Sequence, residues 1–218
     1  MPKPSFLFGT VGAPISTPKK PGGSVGAIQH SASMELYALE LGWVRSINVT
    51  EATCAAIKAA AVEPRLRDFV KELRDNGNPV TLRPETMGKI AMLGSFEDTL
   101  EMSTEVEGVQ PCIDFAHLHA RPGDGSVNSY AEWDALLKKL KKKLGASALK
   151  NMHIHLSGIE YGPKGEKKHL PFADADLKYK ALFKALADHK CSGRILCESP
   201  KMEDDAVLLM KAWDKIAK

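Results

Sequence analysis

The chain has 218 residues, 44% of them hydrophobic and 26% charged, with a formal net charge of +3. That is enough for one sizeable α/β domain with a real core, and so mild a charge tolerates a nucleic-acid partner without arguing for one. No stretch approaches the ~18 apolar residues of a membrane span, and the run before Gly9 is too short for a secretory leader, so a soluble cytoplasmic protein with no membrane partner is expected.

Phe6 to Val11 reads as a first strand ending in Gly-Ala-Pro, and Ser16 to Ser24 as a Pro/Gly/Lys loop. Val25 to Met34 is a short helix, and Tyr37 to Val44 alternates as a second strand. Thr50 caps the good helix formers of "TEATCAAIKAAAVE". Pro64 to Asn76 is helical, with Leu66, Phe69, Val70 and Leu73 at three- and four-residue spacing. After the stop at Asn76-Gly77-Asn78-Pro79 the rhythm is regular. Strands are expected over Val80 to Glu85, Val109 to Asp114, Met152 to Leu156 and Arg194 to Glu198. Between and after them come helices capped by Ser95 (with Asp98 as a capping-box acid), from Ser129 to Leu144, from Asp176 to Asp188 and from Glu203 to Ala217. Such alternation indicates βαβ units and a parallel sheet. Cys54, Cys112, Cys191 and Cys197 lack CxxC spacing and read as reduced thiols.

Four successive strands carry ionisable groups at or near their C-terminal ends: Glu85, Asp114, the pair His153 and His155, and Glu198. In a parallel sheet or barrel these ends share the face on which active sites are built. In "MHIHL" the period of two sends Met152, Ile154 and Leu156 one way and both histidines the other, into a barrel interior or cleft. Carboxylates and imidazoles crowded together are costly without a cation among them. Mixed O and N ligands suit zinc, or less specifically manganese or iron. Each group also has a plain reading: Glu85 as a strand-end ion pair, His155 as a satisfied core histidine, His117 and His119 as loop residues past Asp114, His30 and His189 as surface residues. "KKLKKK" at Lys138 to Lys143 reads as the solvated face of a helix that buries Leu136, Leu137, Leu140 and Leu144.

The stretches "LRPETMGK", "PCIDFAHLHA", "NMHIHLSGIEYGPKGEKKHL" and "LCESP" resemble the metal-binding motifs of endonuclease IV, the family-two apurinic/apyrimidinic endonucleases, and most closely their archaeal branch. The resemblance implies a xylose-isomerase-like TIM barrel. It implies a cluster of three zinc ions and hydrolytic incision of DNA at abasic sites in base excision repair. It makes Glu85 the carboxylate that bridges two metals. Asp114, His153 and Glu198 become the remaining ligands of the second metal, and His117 and His169 ligands of the third. Glu85 and Glu198 are then also the groups able to assist the nucleophilic water. Arg121 and Lys89, on loops after strands, are candidate DNA contacts.

Two departures stand out. Where the family has an Asp two residues before the histidine matched by His169, this chain has Lys167, so either Glu166 stands in or the third metal is weak or absent. The two strand-end histidines that hold the family's first metal have no counterpart, and about two βα units are missing near residues 61–64. The expectation is a single domain over residues 1–218, a TIM-barrel-like set of parallel βα units with six strands where a closed barrel needs eight. The barrel would be incomplete or open, with nuclease activity weakened by loss of the first metal. An open barrel would favour a homodimer. The rival on the same scaffold is a sugar or sugar-phosphate isomerase or epimerase using one metal on Glu85, Asp114, His153 and Glu198, and the non-enzymatic rival is a metal- or DNA-binding remnant.

Overall fold

A computed structural model gives the structure of the chain and describes residues 6–19, 23–36, 38–40 and 63–217. The helix expected from Thr50, most of the second strand, Cys54 and residues 61 and 62 lie outside them.

The first unit runs from β1 (Phe6–Val11) through α1 (Gly23–Ser33) to β2 (Ala38–Glu40), followed by α2 (Glu63–Asp75). Beyond it come α3 (Phe96–Glu105), β3 (Cys112–Asp114), α4 (Phe115–Ala120), α5 (Tyr130–Leu144) and β4 (Met152–Leu156). A hairpin of β5 (Gly158–Gly162) and β6 (Gly165–Leu170) precedes α6 (Tyr179–Asp188), β7 (Gly193–Cys197) and α7 (Glu203–Ile216). The sheet has the order β2-β1-β7-β4-β3 and every pairing in it is parallel.

A sixth strand-like segment follows β3 at the border. Leu82 donates its N–H to Gly108 O (3.1 Å) and accepts from Gln110 N–H (3.0 Å); Cys112 N–H reaches Pro84 O (2.9 Å), and Thr86 N–H reaches Cys112 O (3.0 Å). Pro84 has no N–H, so one rung of this ladder is lost, and the strand expected over Val80 to Glu85 is reduced to bridges at Leu82 and Glu85. Among the described residues this segment and β2 form the two borders and do not pair with each other, so the barrel is not closed.

Helix starts follow the local chemistry. Ser95 and Ser129 each accept the N–H of the third helical residue, while Asp98 and Glu132 reach back to complete capping boxes. Trp133, Leu137 and Leu140 on α5 are buried, with Leu136 and Leu144 packed at the margin. The lysines of its outer face are solvated, Lys138 paired with Asp134 and Lys139 with Glu97. The core gathers between sheet and helices, where Phe6 meets Trp213 edge-on (4.8 Å between centroids) and Phe115 meets Trp133 (5.5 Å). By contrast α2 has no buried residue and exposes Phe69, so its apolar stripe is not a core face among the described residues. No described helix is long and apolar enough to cross a membrane.

Candidate metal centre

Asp114 ends β3 and begins α4. Its Oδ1 accepts the N–H of His117 (2.8 Å), which caps a short helix where the sequence suggested a loop. The Thr86 hydroxyl fixes the Asp114 peptide, accepting its N–H (2.9 Å) and donating to its carbonyl (3.2 Å). The other carboxylate oxygen, Oδ2, is buried with no hydrogen-bond partner, on a residue with 0% exposure. An orphaned carboxylate oxygen in a buried site is costly, and a cation is the partner that relieves it.

Register decides what faces it. β3 and β4 pair so that Asp114 lies opposite His155, while His153 lies opposite Cys112. The ligand atoms of Glu85, Asp114, His155 and Glu198 therefore lie within 4.8 Å of one another. His155 Nδ1 is 3.0 Å from Glu85 Oε1 and 3.2 Å from Glu198 Oε1. Burial pushes the Glu85 carboxyl above the usual carboxylate range and the neighbouring Asp114 adds to the rise, although its contacts with His155 and His117 pull the other way.

Register separates the two histidines. His153, expected as a ligand beside Glu85, Asp114 and Glu198, sits one layer lower in the barrel, with its ligand atom within 4.8 Å of those of Cys112 and His155 and its Nδ1 3.5 Å from Arg194 Nη1. Its place is taken by His155, which is buried as a core histidine would be but is held by two carboxylates. Alternation put both histidines on the inner face; only the cross-strand register says which is level with the acids.

A second group adjoins the first. The ligand atoms of Asp114, His117, His169 and Glu198 also lie within 4.8 Å of one another. His117 Nδ1 is 2.9 Å from Thr86 O, and His169 Nδ1 is 3.1 Å from Glu198 O. A carbonyl can only accept, so in each neutral ring the proton sits on Nδ1 and the Nε2 lone pair is turned inward. The two Nε2 atoms then face each other at 3.2 Å. Two lone pairs at that distance repel unless a proton or metal ion lies between them. Burial works against a charge on His117, but the carboxylates of Asp114, Glu85 and Glu166 outweigh it and raise its pKa to about 8.

Glu166 completes this group, its oxygens 3.6 Å from His117 Nε2 and 3.8 Å from His169 Nε2. The hairpin register shifts at Glu160/Tyr161, so that Tyr161 opposes Glu166, Glu160 opposes Lys168, and Lys167 is the extra residue. The bulge turns Glu166 and His169 to the same side and leaves Lys167 outward, 3.3 Å from Glu160. Close backbone approach holds the hairpin here, with Glu166 N–H donating to Gly88 O (2.8 Å). A Cβ on Gly88 would come within 2.7 Å of Glu166 Cβ and 2.8 Å of its Oε2. Gly88→Ala is thus expected to displace Glu166 and weaken a cation at this second group by roughly tenfold, as the loss of a supporting contact does. Zinc titration should show the Glu85/Asp114/His155/Glu198 group unaffected; equal weakening of both would refute the assignment.

Of the remaining candidates, Arg121 is structural: Nη1 donates to Met87 O and Lys89 O, and Nη2 to Ile90 O and Met92 O, at 2.6 to 3.2 Å. It holds the loop that carries Gly88. Lys89 is exposed beside the hairpin turn and bridges Gly165. His119, on α4 itself, is fully buried, with Nδ1 2.8 Å from Ser126 O and Nε2 3.1 Å from Asp176, and ties that helix to both. His30 bonds Ser16 and His189 bonds Asp134, both away from the centre.

Acids and imidazoles gathered at the C-terminal ends of parallel strands occupy the face on which barrel enzymes build their active sites. The model of the family described as xylose isomerase-like TIM barrel matches residues 30–216, and the chain belongs to that family. An uncharacterized protein of Methanocaldococcus jannaschii is 45% identical over 152 residues, covering 70% of this chain and 54% of that protein. The chain thus spans about half the length of this curated relative. The crystal structure of a D-tagatose 3-epimerase-like protein superposes with a TM-score of 0.55 and 18% identity, covering 88% of this chain and 67% of that one, a likeness of fold. An IolI protein with a bound zinc atom covers 95% of this chain and 73% of its own, at 16% identity and a TM-score of 0.49.

Proposed function

We propose that this chain is a metal-dependent phosphodiester hydrolase of the endonuclease IV type, which incises DNA at abasic sites. The observation that supports this best is the pair of Nε2 lone pairs of His117 and His169 facing at 3.2 Å, in a group whose ligand atoms lie within 4.8 Å of one another and which shares Asp114 and Glu198 with the first. A proton on His117 satisfies them in the free chain, and a second cation adjoining the first would take its place, an arrangement suited to clamping both the attacking and the leaving oxygen of a phosphodiester. Glu85, Asp114, His155 and Glu198 would hold one zinc ion, and His117, His169 and Glu166 another. When bound, zinc supplies a Lewis acid and a water that ionises near neutral pH. Glu85, its carboxyl already lifted by burial, can take up a proton from the attacking water, and Glu198 is chiefly a ligand. Lys89 and Lys164, exposed at the hairpin rim, are suited to phosphate contact.

An abasic-site duplex incubated with the zinc-loaded chain tests this. Incision should fall about a thousandfold in Glu198→Gln, which keeps the shape but loses the charge. Equal incision by this variant would refute the assignment. The second reading, a sugar isomerase or epimerase, draws on the completeness of the four-residue group by itself and on the epimerase-like fold. His169→Ala separates the two, because it should abolish incision and spare an isomerase that needs one metal.

A further inference from the structure

We propose that the interior of the open barrel is a second ligand site, distinct from the metal centre, which takes a phosphate or phosphate-monoester dianion between Arg83 and Arg194. Arg83 precedes Glu85 by two residues, His153 precedes His155 by two, and Arg194 precedes Glu198 by four. Even spacing on a strand keeps a side chain on the same face. These three therefore point into the same barrel as the metal ligands, with Arg194 level with His153, one layer below His155. They line a cavity of about 630 Å³ whose roof includes Glu85 and His155 and whose apolar wall includes Leu7 and Leu196.

In a closed eight-stranded barrel such space is filled by side chains from all the strands. Here the described borders do not meet, and the volume is within the range of small-molecule sites. The lining carries two guanidinium cations, Arg83 and Arg194, against one carboxylate, Glu85. Arg83 donates to two backbone carbonyls, Pro111 O and Asn151 O, each at 3.1 Å, and Arg194 Nη1 lies 3.5 Å from His153 Nδ1. Among the described residues neither guanidinium has a carboxylate within ion-pair distance. Both guanidinium groups line the same cavity. Like charges held together in a partly desolvated cavity are unfavourable until an anion joins them. Guanidinium forks match the oxygens of a tetrahedral oxyanion, and two of them favour a doubly charged one.

The test is calorimetric titration of inorganic phosphate into the zinc-loaded full chain, in chloride buffer. Binding should weaken by about tenfold or more in Arg194→Met and Arg83→Met, and should persist in Glu198→Gln, whose metal centre is impaired. Loss of phosphate binding in Glu198→Gln with retention in Arg194→Met would mean that phosphate sits on the metals, and would overturn the proposal. So would unchanged binding in both arginine variants, or no binding by the unmodified chain at tens of millimolar. Arg83 also ties two backbone carbonyls, so Arg83→Met can fail to fold; Arg194→Met and Arg194→Lys then carry the result, with Lys retaining part of the affinity.

Discussion

Asp114→Asn is expected to abolish the zinc binding proposed for the chain while leaving its fold intact. The amide oxygen can still cap α4 through the His117 N–H, the role that Oδ1 plays at 2.8 Å. The amide nitrogen that replaces Oδ2 cannot ligate a cation. Zinc affinity should fall by more than about a hundredfold, beyond the usual loss for an outer-shell partner. The effect on stability in chelator should depend on pH. The apoprotein loses the 3.5 Å contact between Oδ2 and the His117 cation, so Asp114→Asn should unfold at a lower urea concentration than the unmodified apoprotein below pH 6.5 and approach it above about 8, and zinc should widen the gap. Asp114→Ala also loses the cap and should be less stable by about 1 kcal/mol in either state. Metal analysis and urea melts with and without zinc check all three, and a variant that binds zinc within twofold of the unmodified chain would rule out Oδ2 as a ligand.

The second large effect is on pH. Burial disfavours the His117 cation, yet three carboxylates within 3.5 to 3.6 Å raise its pKa from 6.5 to about 8. Because the folded value lies above the unfolded one, the stabilisation is complete below pH 6.5 and disappears as pH rises through about 8. Its size is on the order of 2 kcal/mol, from 1.36 kcal/mol for each unit of pKa. The apoprotein should therefore lose stability between pH 6.5 and 8, and His117→Gln should flatten that decline. Zinc competes with the same proton, so its apparent affinity should climb over this range and then level off. A urea midpoint that rises with pH over the interval would contradict the assignment.

What could be read from the sequence was whatever depends on near neighbours. The capping residues Ser95 and Ser129, the alternation in "MHIHL" and the acids at strand ends are local, and the structure has them where the spacing put them. The choice between His153 and His155 is not local. It rests on pairing between β3 and β4, which come from distant parts of the chain. The short helix α4 was missed because every residue in it is buried, so no apolar stripe stands out against a polar face. The hairpin was missed because Lys, Glu and Gly dominate it, a composition poor in strand formers. With the hairpin went its bulge, and so the reason why Glu166 rather than Lys167 turns inward. The turn "GPKG" at Gly162 to Gly165 was the available signal.

Sheet order has a kinetic consequence. β1 lies between β2 and β7, with Phe6 opposite Gly193, so the first described strand is clasped by the last. On a ribosome, Phe6 and Phe8 must wait for nearly all of the chain to emerge before they find that neighbour. Closing so long a loop is slow, and until it closes the apolar edge of β1 is open to other nascent chains. Yield from a crowded cell should therefore depend on chaperone supply more than the finished molecule's stability would suggest.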